Sequence, residues 1–366
     1  MSTSFPYYAH EFTPELLTEV MSRTKPGLKV TEVAVVEGKQ YGDGNASTAG
    51  RCIFDLKYAP GSDTDLPSRI VVKIARVGAG DDHRVLYRNE LNFYDRVRPE
   101  LSLETPRIFG SHYDEESGTF ALIMEDLRLR GGEFMHNQIE HSPDHVRQLL
   151  DVLAVLHAKY WESPRFASDL AWVPSQTRGE MHMIFTNPER VPAYIAATTA
   201  KWHFKKEMLQ RMGVTLDELY HQFQRAQQNQ ARGPLTLLHG DTHVGNTYRV
   251  PGGAGLIDWQ LFCHGHYMHD VGYYLQTSLA VGVRREHEQD LLRYYLGRLK
   301  EEGVASPPSF DEAWLDYRRT CPWNVYVGWL TADIDNYGWE ICELAHLRVM
   351  TAYEDLESAK AMAALG

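Results

Sequence analysis

The sequence predicts an α+β chain of two lobes, an antiparallel-sheet N-lobe over residues 1–127 and a mainly helical C-lobe over 128–366. Three observations predict it. Short β-rich runs joined by turns fill the first third, helical periodicity dominates the rest, and one β-like interruption between 235 and 260 carries a dense set of polar residues. Short connections favour antiparallel pairing, because a parallel pair needs a long crossover.

In the first third the expected strands are 29–36, 51–58, 69–74, 107–113 and 119–124. In the second of these, Cys52, Phe54, Leu56 and Tyr58 alternate with Ile53, Asp55 and Lys57, which suits a sheet with one buried face. Between the third and fourth strands, Leu86, Glu90, Phe93 and Val97 recur at helical spacing over 83–97. Beyond Leu127, helices are expected over 145–161, 191–212, 215–231, 286–300, 310–320 and 341–362. The apolar stripe Leu149, Leu153, Leu156 and Tyr160 marks the first of them. The interruption reads as strands 235–238, 247–250 and 256–259, with Pro251-Gly252-Gly253 turning between the last two.

Composition bounds the function classes. With 366 residues, 43% hydrophobic and 23% charged, the chain can bury a large core and is not a disordered one. Lys and Arg number 37 against 49 Asp and Glu, a net charge of −12, so nucleic acid and anionic membranes are disfavoured as partners. The start of the chain lacks a basic region followed by an apolar run, and no uninterrupted apolar stretch suits a membrane span, so the expected location is cytoplasmic. Four scattered cysteines suit reduced thiols.

The most informative words are His239-Gly-Asp241-Thr-His243-Val-Gly-Asn246 and Ile257-Asp258-Trp259. An Asp followed five residues later by Asn, and then by a second Asp beyond a hairpin, reproduces the catalytic-loop and metal-binding arrangement of protein kinases, although the surrounding letters differ. A carboxylate must face the acceptor hydroxyl, and oxygen ligands must hold Mg²⁺ beside the transferred phosphate of ATP. Asp241 fits the first role; Asn246 and Asp258 fit the second. Any one of them alone would read as a polar turn residue. Upstream, Lys73 interrupts the apolar strand Arg69-Ile-Val-Val-Lys-Ile74 and so needs an anion, with Glu90 on the next helix placed to orient it toward the α- and β-phosphates. Gly42 and Gly44, with Gly38 before them, form a glycine-rich loop able to bring backbone N–H groups to phosphate, although it matches neither the P-loop nor the dinucleotide fingerprint and a flexible hairpin is the leading alternative. Met124-Glu125-Asp126 falls where the β-rich region ends and would offer backbone groups to adenine as a hinge.

With these residues in view, the chain resembles the aminoglycoside phosphotransferase and choline kinase superfamily, in particular its ecdysteroid-kinase-like branch. The resemblance runs from the first lobe through Leu153-Ala-Val-Leu-His157-Ala-Lys-Tyr-Trp161 to the His239–Asn246 loop and Ile257-Asp-Trp-Gln260. It implies a protein-kinase-like fold, with Lys73 on phosphate, Glu90 on Lys73, Asp241 at the acceptor hydroxyl, and Asn246 with Asp258 on Mg²⁺. It also implies that His239 and His243 shape the loop and that Asp270 supports it. Trp259-Gln260 stands where protein kinases carry Phe-Gly, which points to a small-molecule acceptor.

The expected activity is therefore ATP-dependent phosphorylation of a hydroxyl on a small molecule. A catalytically silent nucleotide-binding protein and a protein kinase are the alternatives. The first would not need Lys73, Glu90, Asp241, Asn246 and Asp258 together, and the second lacks its Ala-Pro-Glu segment. Trp323, Trp329 and Trp339, in a stretch rich in aromatic and acidic residues, are candidate contacts for a neutral or cationic alcohol, although core packing explains most such rings. Cys263, His264, His266 and His269 are zinc-type side chains, but their crowding makes a tetrahedral site awkward.

Overall fold

The structure is a computed structural model and describes residues 5–40, 48–62 and 65–365. The chain divides into two compact units, one made of Met1–Glu100 and Thr105–Glu133, the other of Leu101–Glu104 and Phe134–Gly366.

In the first unit, helix α1 (Pro14–Ser22) precedes β1 (Val30–Lys39), β2 (Gly50–Tyr58) and β3 (Arg69–Ile74). Helix α2 (Asp81–Asn92) and a wider turn through Phe93–Val97 follow, then β4 (Ile108–Tyr113) and β5 (Phe120–Glu125). The strands make one antiparallel sheet in the order β1-β2-β3-β5-β4. The period of two in each strand divides the sheet into two faces. Cys52, Phe54, Ile70, Val72, Ile74, Ala121 and Ile123 join one buried cluster with Leu17, Val20 and Met21 of α1. Lys73 alternates with that set, so it lies on the opposite face.

A two-residue strand β6 (Glu133–Phe134) ends the first unit's run, and the second unit continues with helices α3 (Pro143–Lys159), α4 (Gly179–Thr186), α5 (Arg190–Lys201), α6 (His203–Met212) and α7 (Leu216–Gln230). Strands β7 (Leu235–Leu238), β8 (Thr247–Val250), β9 (Gly253–Leu256) and β10 (Cys263–His266) come next. Helices α8 (Met268–Ser278), α9 (Val281–Glu301), α10 (Phe310–Trp323), α11 (Ile334–Tyr337), α12 (Trp339–Asp355) and α13 (Ser358–Ala363) complete it. In α3 the stripe Leu149, Leu153, Leu156 and Tyr160 is buried as its spacing requires, and Ser142 caps the helix by accepting from the His145 N–H. Every residue of α8 is buried, so this helix runs through the core rather than along its surface.

Several expectations are corrected. The helix expected over 191–212 is two helices, because Trp202 takes an extended conformation between α5 and α6. That expected over 341–362 breaks at Glu357, whose φ is +47°. The strand expected over 256–259 lies three residues earlier, at Gly253–Leu256. Pro251 and Gly252, with φ +86° at Gly252, form the whole turn, so Gly253 already pairs with Val250. Strand β10 and helices α1, α4 and α8 were not expected; a short strand of Cys, His and Gly and a helix buried on all sides lack the alternation that marks a surface element.

All four cysteines are free and buried, and no helix among the described residues is long and apolar enough to cross a membrane. Burial holds His141, His266 and His346 at a pKa of about 3, far below the ordinary 6.5. His346 donates from Nδ1 to the Cys342 carbonyl at 2.6 Å and is fully buried. Each folded-state pKa is depressed, so the stabilisation is complete above pH 6.5 and is lost as the pH falls from there toward 3. Urea denaturation at half-unit pH steps is expected to show this decline, and His346→Gln to reduce its slope by up to about 1.4 kcal/mol per pH unit.

Candidate active site

Lys73 and Glu90 meet in the first unit. Lys73 Nζ lies 2.8 Å from Glu90 Oε2, with the lysine side chain 10% exposed and the glutamate 1%. The alternation of β3 sends Lys73 toward α2, and α2 is held there by Tyr87, whose hydroxyl donates to the Thr48 carbonyl and accepts from the Arg76 N–H. Tyr87 also stacks on Phe120 at 4.7 Å between ring centroids. A cation this deep is tolerable because its counter-ion is fixed beside it.

Met124 lies in β5 opposite Val71, and Glu125 and Asp126 follow it. Their carboxylates are already engaged: Glu125 accepts from the Arg107 N–H and from Arg130, and Asp126 accepts from Arg128 and caps the turn at Leu127–Arg130. The carboxylates of this segment are therefore committed within the protein. Gly42 and Gly44 lie outside the described residues.

In the second unit the His239–Asn246 loop leaves β7, and its backbone is held by Asp270 near the start of α8. The fully buried Asp270 carboxylate accepts from the N–H groups of His239 at 2.7 Å and Gly240 at 2.9 Å. His157 Nε2 lies 3.2 Å from the same carboxylate, and the Tyr295 hydroxyl donates to His157 Nδ1. Burial alone would raise the Asp270 pKa; the hydrogen bond from His157 and the nearby histidines outweigh it and leave the group below the ordinary carboxylate value. Gly240 has φ +85°, and a Cβ there would lie 2.1 Å from the Leu261 carbonyl, so only glycine fits.

His239 joins the two acidic segments. Its Nδ1 accepts from the Asp241 N–H at 3.2 Å and its Nε2 donates to the Ile257 carbonyl at 2.8 Å. With both nitrogens committed and burial lowering its pKa, it is a neutral strut, not a proton carrier.

Asn246 Nδ2 donates to the Asp241 carbonyl at 2.8 Å and to Asp241 Oδ2 at 3.0 Å. Both amide protons are used, so Oδ1 is the atom left for a cation. Asp258 follows β9 by two residues and adopts φ +63°, a conformation uncommon outside glycine and asparagine and one that recurs where function fixes a side chain. An amide oxygen with carboxylates is the hard-oxygen donor set that suits Mg²⁺. The zinc-type side chains are dispersed: His264 stacks on Phe166, His266 faces Asp316, and His269 donates to the Gly240 carbonyl.

Asp241 also opens onto a cavity of about 360 Å³ within the second unit. His243, Tyr273, Trp323, Trp329 and Phe185 share its wall. Asp241 is the only carboxylate among the lining residues, and no lysine or arginine is among them. Trp339 is not on this wall; it is 49% exposed and packs on Trp202 and Phe204. Tyr273 escaped the sequence reading because no helix was expected over α8; its position one turn beyond Asp270 was the signal available.

Residues 61–307 match the phosphotransferase enzyme family. The chain belongs to that family. Among curated proteins, this phosphotransferase is 22% identical over 197 residues to methylthioribose kinase from Bacillus pumilus (strain SAFR-032). That match covers 51% of this chain and 47% of the relative, about half of each. Among solved structures, the phosphotransferase chain resembles choline kinase from Cryptosporidium parvum Iowa II with a TM-score of 0.54 and 14% identity, covering 96% of this chain and 98% of that one. It resembles ethanolamine kinase from Plasmodium vivax with a TM-score of 0.50 and 10% identity, covering 86% and 81%. At these identities the likeness shows the fold, which is protein-kinase-like with an antiparallel-sheet N-terminal region and a mainly helical remainder.

Replacing Asp270 with asparagine turns an acceptor for three donors into a group whose own N–H₂ faces one of them. Asp270→Asn is expected to lower unfolding stability by about 3 kcal/mol in urea denaturation.

Proposed function

We propose that this phosphotransferase moves the γ-phosphoryl group of ATP, taken as its magnesium complex, to a hydroxyl on a small, uncharged and largely apolar molecule seated in the cavity beside Asp241. The observation that carries this reading is the placement of Asp241: its Oδ2 is oriented by Asn246, and it is the single carboxylate on the wall of an otherwise neutral, aromatic cavity. A polycationic acceptor would call for several acids there, and an anionic one for a lysine or arginine. A cavity of about 360 Å³ also suits a small molecule better than a protein segment. The relatives' names, methylthioribose kinase, choline kinase and ethanolamine kinase, accord with a small-molecule acceptor. The letters of the His239–Asn246 loop and of Ile257-Asp-Trp-Gln260 support a place in the ecdysteroid-kinase-like branch.

In this reading Asp241 orients the acceptor hydroxyl and accepts its proton as the new P–O bond forms and the bond from the γ-phosphorus to the β-phosphate oxygen breaks, releasing ADP. Asn246 and Asp258 would hold Mg²⁺, whose charge offsets that of the phosphate oxygens. Lys73, fixed by Glu90, takes the α- and β-phosphates; Gly42 and Gly44 lend backbone N–H groups, and the backbone of Met124, Glu125 and Asp126 takes adenine. Trp323 and Trp329 cover the apolar part of the acceptor. Trp339 has no part in it.

The test is ATP turnover with Mg²⁺ over a panel of neutral alcohols, amino alcohols, sugars and aminoglycosides, with products identified by mass. Asp241→Asn is expected to lower kcat by roughly 10²- to 10⁴-fold while calorimetry shows ATP binding retained. Asp258→Asn is expected to weaken magnesium-dependent ATP binding as well as turnover. Near-normal product formation by Asp241→Asn would reject this assignment.

A further inference from the structure

We propose that Tyr273 is a specificity-determining residue whose phenolic O–H docks on a second oxygen of the acceptor, close to the hydroxyl that reacts. The acceptor class is then an uncharged vicinal diol or α-hydroxy ketone on an apolar skeleton, and not a simple alcohol. This rests on the reading of the cavity as the acceptor seat.

Tyr273 is 3% exposed and lies on the cavity wall. A buried tyrosine hydroxyl ordinarily finds a hydrogen-bond partner. Among the described residues this one has none in the protein. Three other polar side chains on the same wall are occupied. Gln176 accepts from the His266 N–H and donates to Gln230; Asn137 accepts from Arg348 and donates to the Ile341 carbonyl; Thr331 donates to the Val327 carbonyl. The buried indole N–H of Trp329 is the other unused donor of that wall that stands out. Unused donors against a neutral surface call for oxygen atoms on the ligand.

The ring is also held in place. It meets Trp323 edge to face at 5.3 Å, and a Cβ at Gly328 would come within 2.9 Å of it. Tyr273 and Asp241 flank the same imidazole: the His243 ring lies 6.4 Å from that of Tyr273, and its Nε2 lies 3.6 Å from Asp241 Oδ2. The phenol is therefore near the reacting hydroxyl without competing for Asp241. Burial first, and the Asp241 charge second, raise its pKa well above the ordinary phenol value, so it remains a neutral O–H donor.

The experiment is equilibrium binding, by calorimetry with Mg²⁺ and a non-hydrolysable ATP analogue, of three probes: β-tetralol, the vicinal diol of tetralin, and the corresponding α-hydroxy ketone. The wild type is expected to bind the diol or the hydroxy ketone about tenfold more tightly than β-tetralol. Tyr273→Phe is expected to abolish that preference, leaving β-tetralol affinity and Tm as they were. An equal preference in both proteins, or none in the wild type, overturns the proposal. Because binding is read without turnover, failure of the phosphotransfer reading shows separately, as absence of phosphorylated product from wild type whose binding preference persists.

Discussion

The Asp270 carboxylate, out of contact with water, accepts from two successive backbone N–H groups at His239 and Gly240 while His157 supports its charge. A buried anion is tolerable only when it is nearly saturated with donors, and here the donors belong to the loop that presents Asp241. The loop is consequently not free to choose its path. Gly240 turns with a positive φ because the chain must pass against the Leu261 carbonyl, and His239 then links the loop to the Ile257 backbone, one residue before Asp258. The hydroxyl of Thr242 donates back to the Asp270 carbonyl, so loop and helix bind each other in both directions. Helix α8 thus sets the position of Asp241 from one side and, through Tyr273, furnishes the cavity wall from the other.

The first unit meets a similar problem with one ion pair. Lys73 sits in a strand whose neighbours are buried, and Glu90 stands 2.8 Å away as its partner there. The alternation of the sheet makes this possible: Ile70, Val72 and Ile74 bury against α1, and the opposite face receives α2 and its glutamate. The sheet therefore separates the face that packs on α1 from the face that carries the Lys73–Glu90 pair.

The chemical character of the cavity differs from that of the whole chain. The net charge is −12, yet the wall beside Asp241 holds one carboxylate and many rings. The acidic excess lies elsewhere; surface pairs such as Arg165–Asp169 and Arg23–Glu19 neutralise themselves and contribute little to stability. Bulk charge describes solubility and long-range attraction, whereas the character of a sheltered cavity is set by the few groups that line it.

Local pattern was sufficient for the strands of the first sheet, for α2 with its Glu90, and for the polar words around Asp241, Asn246 and Asp258. Each rests on periodicity or spacing within a short window, and those are properties that sequence carries directly. The breaks at Trp202 and Glu357, the early start of β9 and the existence of α8 were not legible in that way, because they arise from what the segments pack against. The three tryptophans show the same division: all read alike as aromatic residues in one acidic stretch, but Trp323 and Trp329 line the cavity while Trp339 lies against Trp202 at the surface. Sequence determined which chemical groups the chain possesses and roughly where its regular elements lie. The tertiary structure alone decided which polar groups are already paired and which, like the Tyr273 hydroxyl, have no partner among the described residues, since pairing depends on partners distant along the chain.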